Sequence, residues 1–577
     1  MALHVVVVGG VALGPKAACR FKRLMPEGAV TLVDQSSRIS YGGCGIPFFV
    51  SGEVSRVEEL QSTPYGAVRD ASFFRKAKGV NVITRVRVIG IDRANKQLRM
   101  EDLDTSEVRE MSYDRLVLAT GSKPRTLRVP GADLVGISPA ANLDEAERIK
   151  DSLTRGKVNV AAVVGGGFIG LEMAVALADL WGIPVSVVEY AEHVLPANLS
   201  PLLAKMAVAD LAGGNVAVHA GETVLRFEGE RSQVKRVVTN KRTIDADLVV
   251  MAAGIAPETS LARDAGLELT ETGLIVVDEH LRTSDPDIYS GGDAAAVVNL
   301  VTGKPGWFPL GSQANRQGRV IGTNLAGGDA VFPGAVGAWG LKLFAQAAAG
   351  AGLTLKQAKK AGFDAVAVHV EQADRAHFYP QHEMMALELV AEKGTRRVLG
   401  VQGLSPAGDA LVSRVNAITP VIAAGGTVAD ISNLEVVYSP PFGSAMDIVN
   451  TLGNVAENVL EGRSRAMDVD EFVALWDNRA ENEVCFLDTR DPASAEKLAA
   501  EYPEDWKNIP LDVLSERMQE LPEGRSLVVV CNTGLRAFEA QRILDANGRQ
   551  DNRAVAGGMV AVGRAGYDLA DRKLLQK

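Results

Sequence analysis

Two cysteines stand where a sulfur atom could do chemistry. Cys44 lies in Ser40-Tyr41-Gly42-Gly43-Cys44-Gly45-Ile46-Pro47-Phe48-Phe49, among glycines that let backbone N–H groups approach a sulfur. Pro47 suits the first turn of a following helix, whose positive end is expected to lower the thiol pKa. A lone redox cysteine cannot store two electrons as an internal disulfide. It must pair with something small from outside, or be oxidised on sulfur itself. Cys531 closes the apolar run Val528-Val529-Val530 and opens Cys531-Asn532-Thr533-Gly534-Leu535-Arg536 ahead of a helix expected over 537–544. Loop N–H groups and a helix N-terminus converge there, a cradle for a thiolate or a terminal persulfide anion. Arg536 adds fixed positive charge.

The elements that position Cys44 begin with two glycine turns about 155 residues apart. Gly165-Gly166-Gly167-Phe168-Ile169-Gly170 fits G-x-G-x-x-G between a strand and a helix. Gly165 permits the turn, Gly167 lets the backbone approach a pyrophosphate, and Gly170 lets helix and strand pack closely. The next strand, 185–188, ends at Glu189, placed for a ribose 2′-hydroxyl. A carboxylate there repels a 2′-phosphate, which favours NADH over NADPH. The first turn, Gly9-Gly10-Val11-Ala12-Leu13-Gly14, keeps the outer glycines but has Val11 in the middle position. Asp34 ends the following strand and could hold an adenosine ribose.

Bulk properties fit an α/β protein of several domains. The chain has 577 residues, and one hydrophobic core rarely grows past about 250–300 residues. Hydrophobic residues are 47% and charged residues 23%, ordinary for a globular protein. A net charge of −10 gives no broad electrostatic case for nucleic acid. Four scattered cysteines fit neither a disulfide framework nor a zinc ribbon, so a reducing cytoplasm and no metal are expected. The N-terminal valine run reads as a buried strand rather than a signal peptide, and no apolar run of about 20 residues suggests a membrane span. Strands in hairpins are expected over 80–100 and 107–111, and a return strand in 272–290. From about residue 331 an α+β texture follows, and 461–465 is the candidate linker.

Two further segments, Tyr113 to Ser122 and Ser290-Gly291-Gly292-Asp293-Ala294, resemble the accessory motifs of the FAD/NAD-linked disulfide reductase family. The resemblance covers residues 1 to about 460. It implies that Gly9, Gly14, Asp34, Thr120, Gly121, Gly292, Asp293 and Ala294 hold FAD, with Asp293 on its flavin side, and that Gly165, Gly167, Gly170 and Glu189 hold NADH. A dithiol member of the family places its partner thiol five residues after the first, where this chain has Phe49. The segment around Cys44 is most similar to the single-cysteine branch, the coenzyme A-disulfide reductases and NADH-dependent persulfide reductases. His377-Phe378-Tyr379-Pro380 and Tyr438-Ser439-Pro440-Pro441 resemble that branch's tyrosine turn and C-terminal signature. By that resemblance Tyr379 and Tyr438 act near the partner subunit's cysteine across a homodimer interface. Ser40, Gly43, Arg20 and Arg23 become substrate contacts, the arginines toward coenzyme A phosphates. The branch commonly has asparagine before its cysteine, where this chain has Gly43, and often a lysine where Gln381-His382-Glu383 stands. The related NADH oxidases and peroxidases carry a histidine in the first glycine loop, where Ala12 stands here.

The Cys531 loop resembles the C-x-x-G-x-R loop of rhodaneses, and Leu487-Asp488-Thr489-Arg490 resembles an early motif of that fold. The resulting expectation is an α/β chain with an FAD-binding domain (1–150 and 256–328), an NADH-binding domain (151–255) and an α+β dimerisation domain (329–460). A rhodanese-like α/β domain (468–577) completes it. The implied activity is NADH-dependent reduction of persulfides, polysulfides or coenzyme A-linked persulfide or disulfide, with Cys531 carrying sulfane sulfur. The alternatives are plain coenzyme A-disulfide reduction, NADH oxidase or peroxidase activity, and a redox-sensing or scaffold protein with a vestigial flavin unit. Coenzyme A is expected as substrate or bound cofactor.

Overall fold

The computed structural model describes residues 3–479, 481, 483–570 and 573–574. The chain folds as two compact units, residues 1–190 with 222–337, and residues 191–221 with 338–577.

The first unit holds two parallel sheets. In the first, strands run in the order Ile288–Ser290, Arg115–Leu118, His4–Val8, Ala29–Val33 and Asn81–Ile83. Val5, Val6 and Val7 are fully buried, because helices and loops cover both faces of a parallel sheet. Helix Leu13–Leu24 buries Leu13, Ala17, Ala18 and Phe21 against that sheet. The expected return strand is shorter than the 272–290 segment: only Ile288–Ser290 enters the sheet, while Ile275–Val276 pairs with Ala295–Val298 elsewhere. The 80–100 run also divides. Arg85 has φ 61°, a left-handed conformation that turns the chain between Asn81–Ile83 and the antiparallel strands Val86–Asp92, Gln97–Asp102 and Val108–Ser112. In the second parallel sheet Ala161–Val164 lies between Val185–Glu189 and Leu248–Met251.

The second unit contains a five-stranded antiparallel sheet in the order Trp339–Lys342, Ala347–Gly352, Val398–Ser405, Met384–Glu392, Ala365–Ala373. Helices Gly408–Ala423 and Ile448–Leu460 pack on it. The polar stretch 461–465 is fastened rather than slack: Arg465 Nε donates to Asn552 O at 2.8 Å and its guanidinium pairs with Asp545. Strand Ala466–Met467 already belongs to a parallel five-stranded sheet, ordered with Asn552–Val555, Ser526–Val530, Val484–Asp488 and Trp506–Asn508. Trp476 meets Phe486 and Trp506 edge-on in its core.

Candidate active site and nucleotide cradles

The two glycine turns share one geometry. Gly165 has φ 112°, and a Cβ there would lie 2.1 Å from Ala252 O; one on Gly170 would lie 1.9 Å from Gly165 O. A Cβ on Gly167 would meet nothing within 4 Å, so space stays open at the N-terminus of helix Phe168–Ala178. The first turn repeats this: Gly9 has φ 111° with Ala119 O at 2.1 Å, and Gly14 has Gly9 O at 1.9 Å. Val11, in the middle position, is exposed and leaves the turn unobstructed. The acids match as well. Gly166 N donates to Glu189 Oε2 at 2.6 Å, and Gly10 N donates to Asp34 Oδ2 at 2.6 Å. Both cradles have the backbone a pyrophosphate needs.

Residues 120–122 and 290–294 come together beside the first turn. Ser122 Oγ donates to Asp293 Oδ2 at 2.8 Å, and burial pushes the Asp293 carboxyl up against that hydrogen bond. Thr120 Oγ1 donates to Glu258 O, and Gly121 takes φ 69°. Gly292 takes φ 64° and donates its N–H to Gln317 Oε1 at 2.6 Å; Ala294 is buried. Ser122 and Gln317 had no signal in the sequence, since their partners lie in distant segments.

Cys44 sits in a short turn, Gly43–Gly45, before helix Ile46–Ser51. Its residue surface is exposed, yet enough protein surrounds the sulfur to desolvate it. The expected lowering of the thiol pKa does not hold for these protein groups. Desolvation raises it, the Glu172 charge raises it further, its own backbone N–H opposes this, and Asp293 adds a smaller rise. The six-residue helix is too short to outweigh two acids. A longer helix, Gly311–Leu325, begins beside the sulfur: a Cβ on Gly311 would lie 4.0 Å from Sγ. Phe49, at the position of the absent second thiol, is buried beneath Lys150, whose Nζ is 4.0 Å from the ring centre. Ser40 is buried with φ 52° and donates its N–H to Gly10 O at 2.7 Å, tying the cysteine turn to the first glycine turn. Gly43 is exposed. Arg20 Nε donates to Thr323 Oγ1 at 3.0 Å. Desolvation and then the neighbouring Arg319 and Arg23 charges lower its pKa, the sign of a positive cluster.

Glu172 is the acid that sequence reasoning passed over, although it closes the second glycine motif. Burial pushes it from 4.5 to about 7. A raised carboxyl pKa means the folded state keeps the proton longer. Its contribution to stability is therefore best at low pH and falls as pH rises from 4.5 to about 7. Glu172→Gln removes that cost, and roughly 1–3 kcal/mol of extra stability is expected at pH 8, after allowance for its partial exposure. The difference should vanish near pH 4.5 in paired denaturant titrations. Cys44 should also alkylate faster at fixed pH in the variant.

In the second unit the two tyrosine-bearing loops are held by one buried side chain. Arg414 Nη2 donates to Asp374 O and Phe442 O, both at 2.9 Å, and to Asp447 Oδ2 at 2.8 Å. Ala376 N donates to Gly443 O at 3.1 Å, joining the loops directly. Tyr379 is half-buried, whereas Tyr438, Phe378, Val437, Phe442 and Met446 leave large apolar surface exposed.

Cys531 is 1% exposed, and Gly534 N donates to its Sγ at 3.1 Å. Gly534 has φ 102° and starts helix Leu535–Ala546, two residues earlier than expected, with Arg536 in the first turn. Behind the loop, Thr489 N and Oγ1 both donate to Val530 O at 2.9 Å. Asp488, fully buried, accepts from Arg490 and from Trp506 Nε1. The Leu487–Arg490 segment thus braces the end of the cysteine strand. Cys485 is buried in its strand, and Cys19 packs against the first core.

Residues 3–318 match the model of the pyridine nucleotide-disulphide oxidoreductases, and residues 341–448 match the dimerisation domain of the same group. An NAD(P)H sulfur oxidoreductase (CoA-dependent) from Pyrococcus abyssi is 33% identical over 451 residues, which is 78% of this chain and 97% of that protein. The structure of an NAD-dependent persulfide reductase from A. fulgidus is 38% identical with a TM-score of 0.90, covering 97% of this chain and all of that one. Reduced Bacillus anthracis CoADR-RHD is 30% identical with a TM-score of 0.89, covering 99% of each chain. With two glycine cradles of one geometry, a single cysteine beside the first and a matching dimerisation domain, this chain belongs to the pyridine nucleotide-disulphide oxidoreductase family.

Proposed function

We propose that the chain is an NADH-dependent FAD oxidoreductase that reduces persulfides, polysulfides or coenzyme A-linked sulfur through Cys44. The observation that carries this is a single exposed cysteine beside two complete nucleotide cradles, with buried Phe49 where a second thiol would stand. The names of the Pyrococcus and A. fulgidus relatives point the same way. Gly9, Gly14, Asp34, Thr120, Gly121, Gly292, Asp293 and Ala294 would hold FAD; Gly165, Gly167, Gly170 and Glu189 would hold NADH. Bound there, the two cofactors supply an electron pair. Cys44 thiolate attacks the inner sulfur of R–S–SH, forming a mixed disulfide and releasing HS⁻. The mixed disulfide then takes up two electrons and a proton, returning the Cys44 thiolate and R–SH.

In this reading the exposed apolar cluster around Tyr438 is covered by a second copy, which brings Tyr379 and Tyr438 to the partner's active site. Arg20 and Arg23 offer charge to a coenzyme A phosphate, with Ser40 and Gly43 shaping the turn beside it. The domain limits proposed are 1–150 with 256–328 for FAD, 151–255 for NADH, 329–460 for dimerisation and 468–577 for a rhodanese-like sulfur carrier. No helix among the described residues is long and apolar enough to cross a membrane. Four scattered cysteines support a cytoplasmic location.

The Cys531 loop carries sulfane sulfur as a persulfide, cradled by loop N–H groups and Arg536. Cys531→Ser should lose sulfur transfer from thiosulfate to an acceptor thiol by on the order of 10³-fold. NADH oxidation driven by glutathione persulfide should stay within about twofold, because Cys44 is untouched. Unchanged transfer from every sulfur donor would remove Cys531 from the account.

A further inference from the structure

A cavity of about 1230 Å³ within the second unit reaches the Cys531 loop, where Thr533, Gly534 and Leu535 line it. Its far wall is the strand Ala365–Ala373, and every residue from 366 to 373 lines the cavity. Side chains of a strand alternate between faces, so a run of consecutive lining residues means that the cavity follows the strand's edge. This strand is the outer one of its sheet and pairs only with Met384–Glu392. Its other side offers backbone N–H and C=O groups to whatever lies alongside. Across the cavity, Thr451, Asn454 and Asn458 line it from one face of helix Ile448–Leu460.

One buried side chain in this wall lacks a partner. His369 lines the cavity, is 8% exposed, and its Nδ1 makes no hydrogen bond among the described residues. Its Nε2 is held at 3.1 Å by Glu371 Oε1, and Arg564 Nη1 donates to Glu371 Oε2 at 2.7 Å. A carboxylate only accepts, so Nε2 carries the proton and Nδ1 of the neutral ring is left as an acceptor. A Cβ on Gly557 would sit 2.7 Å from the His369 ring, and Gly557 lies 3.6 Å from where a Cβ on Gly534 would be. The histidine therefore stands next to the backbone that closes the sulfur loop.

The geometry points to this cavity as the binding site of the sulfur compound that exchanges with Cys531, namely an elongated, amide-bearing thiol persulfide. The inference rests on the proposed sulfur-carrying role of Cys531. An unpaired strand edge, two asparagines and an orphaned histidine acceptor match the alternating donors and acceptors of an amide chain. The volume far exceeds a bare thiosulfate, so a donor of that size gains little from these walls. In the step, Cys531 thiolate attacks the outer sulfur of R–S–SH. A Cys531 S–S bond forms as the R–S–S bond breaks, and the proton leaves on R–SH, so no electrons are gained or lost overall.

The test is mass-spectrometric timing of sulfur loading on Cys531 in the full-length protein. Glutathione persulfide, pantetheine persulfide and thiosulfate serve as separate donors, and loading by the first two identifies which amide chain is preferred. Asn458→Trp, which fills the cavity away from the loop, should slow loading from the preferred amide-bearing persulfide by about tenfold while thiosulfate loading stays within about twofold. Asn454→Trp is the second variant and should behave alike. Equal slowing with all donors, or no slowing with any, overturns the site. A wild type that takes sulfur from no donor overturns the sulfur-carrying reading and this site with it.

Discussion

Cys44→Ser should lose NADH-driven reduction of glutathione persulfide by on the order of 10³-fold or more, while flavin content and NADH binding persist. The residue makes the covalent bond to substrate sulfur, and a serine hydroxyl at neutral pH is a far weaker nucleophile toward sulfur. No neighbouring thiol can take over: Phe49 fills the partner position, and Cys19 is packed into the first core. Neither glycine cradle contains Cys44, so the binding of both nucleotides should survive. The contrast between intact cofactor binding and lost turnover separates a chemical defect from misfolding. Residual turnover above one tenth of wild type would remove Cys44 from the reaction.

Arg414→Leu should cost about 3–5 kcal/mol of stability in denaturant titration, because a buried ion pair loses one member. Arg414 is 7% exposed and Asp447 3% exposed. Without the guanidinium, the Asp447 carboxylate and the carbonyls of Asp374 and Phe442 lose a common donor. The tyrosine loops then lose their shared anchor, so activity should fall with stability. Arg414→Lys should recover only part of this, since one ammonium cannot present the guanidinium's planar fork to three acceptors. A leucine variant within about 1 kcal/mol of wild type would show that the loops hold without the clamp.

The parts of this molecule that could be read from the sequence are those whose constraint is local. Gly165 and Gly170 are demanded by contacts within one strand-turn-helix, and the Cys531 loop builds its cradle from consecutive residues. The first glycine turn read as weaker because Val11 breaks the pattern, yet an exposed valine leaves the same open backbone. Arg414 could not be found this way. Its partners lie 28 to 40 residues away, and a lone arginine in a helix carries no spacing signal. The Cys44 environment was misjudged for the same reason. The nearby helix was visible, but Glu172 and Asp293 reach the thiol only through the fold. His369 sits in a strand whose pattern marks it as buried, with nothing local to show an unpaired ring nitrogen.

The central claim is that electrons from NADH end on a substrate sulfur through Cys44. Its most direct measurement is the sulfide released per NADH consumed, with glutathione persulfide as substrate and oxygen excluded. One sulfide per NADH is predicted for the wild-type protein, and none above background for Cys44→Ser. NADH consumed only when oxygen is admitted, with no sulfide released, would contradict the account and place the chain with the oxidases.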